Sequence, residues 1–281
     1  RSPGGGCLSH AADPPMTPTG FILRDGLRLA VFDAGGPGAP VLFQHGLCGD
    51  ADQTAEAFPA LAGFRRVTLD CRGHGASETG DDLSIATFAG DVAALADMLG
   101  APLVLGGISM GAAIATRIAV TRPDLVRALI LVRPAWVADA APANMAPNAE
   151  VGALLSRLSP DAARAAFAAG PTHARLAREA PDNLASLLGF FDRAPAKVIA
   201  RLLTLISADG PGVTERQLAA LSVPVLLCGT GEDAIHPFAH AERLAALIPG
   251  ASLTELPPKG RGKPAHIAAL HTAITRFLKE L

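Results

Sequence analysis

The amino-acid sequence predicts an α/β protein, a mostly parallel, doubly wound sheet of about eight strands with an all-helical insertion. Two observations carry this. Short apolar runs alternate with helix-length amphipathic segments across residues 41–132 and again from 224 to the end, the pattern of a sheet covered on both faces. Between Pro134 and Leu221 the strand signals stop, and apolar residues recur only at helical spacing. The chain is therefore expected to divide into a core of residues 16–134 and 222–281 and a helical cap of residues 135–221. Residues 1–15, rich in Gly and Pro and ahead of Met16, are expected to be an extension outside the fold, disordered, expression-derived or from an alternative start.

Each element has a local reason. Segments 21–23 and 27–32 flank Asp25-Gly26, a two-residue hairpin turn, so the fold opens with an antiparallel pair. Residues 41–44 read as a short buried strand, 52–61 as a helix and 67–70 as the next strand. Ser84 is placed to cap a helix whose Ile85, Phe88, Val92, Leu95 and Leu99 share one face, and Gly100 ends it. A strand at 103–105 leads through a glycine-rich joint to a helix from Ala112 to near Pro123, followed by a strand at 128–132. In the insertion, Val151, Leu154, Leu155 and Leu158 fall at helical spacing, Ser159-Pro160 starts a helix that Gly170 stops, and Val198, Leu202 and Leu205 mark a longer one. The sheet pattern resumes at 224–228, with a helix at 238–247, a strand at 252–256 and a final helix to Leu281.

Composition narrows the function classes. Hydrophobic residues make up 49% and charged residues 18% of the 281, the balance of a folded protein in water. A net charge of -2 with no basic cluster argues against nucleic acid. No apolar run reaches the roughly 18 residues of a membrane span. The expectation is a cytoplasmic monomer or homodimer acting on a small molecule. Cys7, Cys48, Cys71 and Cys228 show no C-x-x-C spacing and are expected to be free thiols. No H-E-x-x-H or carboxylate cluster points to a metal, and no cofactor is expected.

The chemistry centres on Gly107-Ile108-Ser109-Met110-Gly111, a G-x-S-x-G match at the strand-to-helix joint. An abrupt turn there holds the serine in a strained conformation, and bulky residues at 107 and 111 would clash. The hydroxyl is presented at a helix N-terminus, where free N–H groups favour developing negative charge.

With further motifs, the chain from residue 20 onward resembles the α/β-hydrolase family with a helical cap. Gln44-His45-Gly46-Leu47 resembles its oxyanion loop, the loop from Asp70 through Arg72, Gly73, Gly75 and Ser77 resembles its D-x-R-G-x-G-x-S segment, and residues 229–237 resemble the segment that supplies the triad acid. The family order of serine, acid and histidine maps onto Ser109, Asp233 and His266, with Glu232 the competing acid and His271 the competing base. Where family members commonly show Gly-His before the last helix, this chain has Lys263-Pro264-Ala265-His266. His45, His74 and His236 read as bracing or turn residues, and His10, His173 and His240 as exposed. The oxyanion donors would be the N–H groups of Leu47 and Met110. Trp136, Phe190 and Phe191 are candidates for an apolar pocket wall, and Arg133 for meeting a substrate carboxylate or forming a plain salt bridge.

The resemblance implies a cofactor-free serine hydrolase cleaving a small, largely apolar ester or lactone through an acyl-enzyme. A carbon-carbon bond hydrolase, a haloperoxidase-like enzyme and a ligand-binding receptor on the same fold remain as alternatives. Dehalogenase chemistry is disfavoured because the nucleophile position is serine, and epoxide hydrolysis because the chain has no tyrosine.

Overall fold

The computed structural model describes residues 16–281. The expectations for residues 1–15, with Cys7 and His10 among them, lie outside the described residues. Eight strands form one sheet: β1 (Gly20–Arg24), β2 (Leu27–Asp33), β3 (Ala39–Gln44), β4 (Phe64–Leu69), β5 (Leu103–Ile108), β6 (Val126–Val132), β7 (Val225–Thr230) and β8 (Ser252–Leu256). Their spatial order is β1-β2-β4-β3-β5-β6-β7-β8. The β1–β2 pair is antiparallel, as the opening hairpin predicts; β2–β4 is antiparallel too, and all the other pairs are parallel, as the strand-helix alternation predicts.

The parallel strands bury both faces, and alternate residues feed two cores. Leu103 and Leu105 of β5 and Leu129 and Leu131 of β6 face one core, shared with helices α2 (Ile85–Met98) and α3 (Met110–Thr121). Val104, Ile108, Ala128, Ile130 and Val132 face the other. That second core is closed by α1 (Ala51–Ala57) and by the last helix, which contributes Leu270, Ile274, Phe277 and Leu278. Each such side chain contributes about 1.5–3 kcal/mol by leaving water.

Between β6 and β7 the chain leaves the sheet for six helices: α4 (Ala146–Leu155), α5 (Pro160–Ala168), α6 (Pro171–Glu179), α7 (Pro181–Gly189), α8 (Ala196–Ser207) and α9 (Glu215–Ala219). Pro occupies the first turns of α4, α5, α6 and α7, where its missing N–H costs nothing. α10 (Phe238–Leu247) and α11 (Lys263–Glu280) complete the fold. Ser84 caps α2 as expected, its side chain accepting from the Thr87 N–H.

Several boundaries differ from the sequence expectation, three of them at helix ends. α1 ends at Ala57, because Phe58 precedes Pro59 and takes an extended conformation. α3 starts at Met110, immediately after the serine. α11 starts at Lys263 and so takes in His266. Cys48, Cys71 and Cys228 are free and buried. Among the described residues no helix is long and apolar enough to cross a membrane.

Candidate active site

Ser109 joins β5 to α3 with φ 55° and ψ -108°, a region costly for any residue with a side chain. Its N–H donates to the Val132 carbonyl at 2.9 Å, which ties the strained residue to β6. The flanking glycines are there for space. A Cβ on Gly107 would lie 2.5 Å from the Gln44 carbonyl oxygen, and one on Gly111 would lie 2.4 Å from the same atom. The backbone of β3 can therefore pass close behind the serine.

The loop after β7 supplies one side chain that meets this hydroxyl and a second that holds the first. Nε2 of His236 is 2.9 Å from Ser109 Oγ, and Nδ1 of the same ring lies 3.0 and 3.1 Å from the two carboxylate oxygens of Asp233. Those contacts favour the tautomer with the proton on Nδ1, donating to Asp233 and leaving Nε2 to accept from the serine. Asp233 is itself heavily partnered. Oδ1 accepts from the backbone N–H of His236 at 2.9 Å and from Asn183 Nδ2 at 2.9 Å, while Oδ2 accepts from Arg133 Nε at 2.8 Å and Nη2 at 2.6 Å. Burial alone would raise this carboxyl's pKa, but the His236 and Arg133 charges and hydrogen bonds outweigh it and hold the pKa well below the usual range. For His236, burial is the largest influence and lowers its pKa; Asp233 opposes this and the Arg133 charge reinforces it.

His266, the base that the family order predicts, does not meet the serine. Pro264 helps start α11 at Lys263, so His266 falls within the first helical turn instead of a loop, and its Nδ1 lies 2.8 Å from the Pro257 carbonyl. His236, expected to be a turn residue, occupies the place instead. The signal was present as Asp233-x-x-His236 in the acid loop together with the missing Gly-His after β8. Glu232 points elsewhere and pairs with Arg261. His271 contacts the Glu56 carbonyl.

Of the two expected oxyanion donors, Leu47 lines the cavity at Ser109 and Met110 directly follows the serine. Met110 is the first residue of α3, so its N–H has no acceptor within the helix. Gly46 is fixed by its N–H donating to Gln53 Oε1 at 2.7 Å, and His45 braces the loop through the Gly46 carbonyl at 2.8 Å and the Cys71 N–H at 3.0 Å. The adjoining Cys48 thiol is pushed up to about 12 by burial, so it offers no competing thiolate.

Ser109 opens onto a cavity of about 320 Å3 lined by Leu47, Phe190, Asn183, Arg193, His236 and Lys259, among others. Two expected wall residues lie elsewhere. Trp136 is buried with its Nε1 donating to the Asp209 carbonyl at 2.9 Å, and Phe191 packs on Phe167 at 5.9 Å between ring centroids inside the helical segment. Arg133 reaches the cavity but is paired to Asp233. Asn183, Arg193 and Lys259 were not legible as site residues, because only the folding of the helical segment and of the loop after β8 brings them to the cavity.

A family model described as alpha/beta hydrolase fold matches residues 39–168. A Klebsiella pneumoniae protein assigned the name carbamate hydrolase RutD is 30% identical over 247 residues, 82% of this chain and 88% of that protein. The mouse (Mus musculus) sn-1-specific diacylglycerol lipase ABHD11 is 33% identical over 151 residues, 52% of this chain, and the match spans 45% of that protein's length. Among solved structures, a malate-bound thermophilic esterase from Thermogutta terrifontis has a TM-score of 0.69 at 26% identity, covering 90% of this chain and 94% of that one. Sheet order, serine joint and relatives agree: the chain belongs to the α/β-hydrolase family.

Proposed function

We propose that the protein is a serine hydrolase of small esters or lactones in which Ser109 attacks, His236 is the general base and Asp233 orients it. The observation that supports this most directly is the contact of 2.9 Å between His236 Nε2 and Ser109 Oγ, with Asp233 on the other ring nitrogen. A serine hydroxyl is a weak nucleophile at neutral pH and needs such a base. Oγ forms a bond to the carbonyl carbon as its proton passes to Nε2. The tetrahedral oxygen is received by the N–H groups of Met110 and Leu47, each contributing roughly 3 kcal/mol. His236 then returns the proton to the leaving alkoxide, and water, deprotonated by the same nitrogen, releases the acid from the serine.

Residues 135–221 act as a cap over the serine, consistent with Asn183 and Phe190 lining the cavity. The lipase, esterase and carbamate hydrolase names of the relatives support cleavage at an acyl carbon. The test is labelling with a fluorophosphonate alongside hydrolysis of short p-nitrophenyl esters. Wild-type protein should be labelled and active, and Ser109→Ala should be neither. Undiminished turnover by Ser109→Ala would overturn the reading.

A further inference from the structure

The cavity is not the apolar slot expected for a simple aliphatic ester. Arg133, Arg193 and Lys259 line it, and no Asp or Glu among the described residues does. These three charges are unequally engaged. Arg133 gives Nε and Nη2 to Asp233, and Lys259 Nζ lies 3.3 Å from Asp182. Arg193 differs from both: its Nη1 donates to the neutral carbonyl of Cys48, and among the described residues no carboxylate pairs with its guanidinium. Asn148, 5% exposed, also lines the cavity, and among the described residues its Nδ2 hydrogen-bonds only to the Met145 sulfur, at 3.8 Å.

A ligand seated over Ser109 would displace water from this rim. Arg193 is exposed at the cavity rim, and a carboxylate on the ligand would match the remaining N–H fork of its guanidinium, which a neutral ligand would leave to water. Cys48 directly follows Leu47, so Arg193 sits beside the loop of the proposed oxyanion donor. A carboxylate held there would belong to the same small molecule as the reacting carbonyl.

We infer that the cavity selects an ester or lactone that itself carries a carboxylate, and that Arg193 receives that carboxylate. What is cleaved rests on the serine-hydrolase reading; what is bound does not. The competing role for Arg193 is a clamp that only fastens the helical segment to the Cys48 loop.

The experiment compares monomethyl glutarate with the methyl ester of its terminal amide, a neutral substrate of the same shape, followed by pH-stat. Wild-type kcat/KM should favour the acid by about tenfold or more, the scale of a charge-assisted bidentate pair. Arg193→Gln should remove most of that preference, mainly through KM for the acid; Arg193→Lys should restore part of it. Equal use of acid and amide by the wild type, or a parallel fall on both in Arg193→Gln, overturns the inference. Calorimetry of glutarate with Ser109→Ala provides an arm independent of turnover: binding should be lost in Ser109→Ala/Arg193→Gln, and no glutarate binding to Ser109→Ala also overturns it. Binding that depends on Arg193 with neither ester cleaved by the wild type would fail the hydrolase reading while leaving the anion site standing.

Discussion

Asp233 and His236 are three residues apart on one turn, and Oδ1 of the first accepts the backbone N–H of the second at 2.9 Å while lying 3.0 Å from its ring Nδ1. The same hydrogen bonds that shape the turn therefore also aim the imidazole at Ser109. The proposed acid and base thus lie on one short stretch of chain, where the family order predicts two loops.

That arrangement separates the two histidines in a mutational test. His236→Ala should lower kcat by about a thousandfold, within the range for loss of a general base. His266→Ala should leave kcat within about threefold and lower the melting temperature, since a buried ring bonded to the Pro257 carbonyl is lost. The opposite pattern, in folded variants, would assign the base to His266.

The pH profile follows from the environment of His236. Burial and then Arg133 hold its pKa below the ordinary value, against the pull of Asp233. The neutral ring is the active form, so kcat/KM should rise with pH and level off with its acid limb below about 6.5. Arg133→Gln removes a cation beside the ring, which makes the imidazolium easier to form. Its acid limb should move to higher pH, and a limb that stays in place or moves lower would contradict the electrostatic role.

Two glycines should respond in opposite directions. Gly111→Ala would place a Cβ 2.4 Å from the Gln44 carbonyl oxygen and 2.8 Å from its carbon, both backbone atoms with little freedom to move. A loss of about 2 kcal/mol in urea unfolding is expected, together with lower activity. Gly90, within α2, has nothing within 4 Å of an added Cβ, so Gly90→Ala should add about 0.5–1 kcal/mol.

The motif loop after β4 contributes stability at a distance from the serine. Arg72 Nε and Nη2 bind the two oxygens of Asp91 at 2.7 and 2.9 Å, with the side chains 5% and 1% exposed. Asp91→Ala leaves the buried Arg72 guanidinium with Asp25 as its remaining carboxylate and should cost about 3 kcal/mol. Activity per folded molecule, measured well below the melting temperature, should be little changed.

Where the sequence constrained the chain locally, the reading from it was close. The Asp25-Gly26 turn, the Ser84 cap and the glycines around Ser109 each meet a backbone requirement that few residues satisfy, and each marks its element. The strand runs were legible because both sheet faces are apolar. The contact of His236 with Ser109 was not, because a histidine three residues past an aspartate looks like any polar turn, and the contact depends on β5 bringing Ser109 to the same sheet edge. Trp136 and Phe191 were misplaced for a similar reason: aromatic character indicates burial but not which side of a helical segment is buried. The contact between Arg193 and the Cys48 carbonyl joins positions far apart in the chain, and no local pattern announces it.

The shared turn also changes what the end of the chain is for. If Ser109, Asp233 and His236 are the reacting groups, every bond-making atom has been supplied before α10 begins. β8 and α11 then complete the sheet edge and its core without being bound to the reaction. The segment between them is free to change in length and charge as substrates change, with Lys259 as its point of contact with the cavity. A split of the protein in the loop after α10 would leave one fragment holding the whole reactive set, and the other restoring only the shape that keeps it in place.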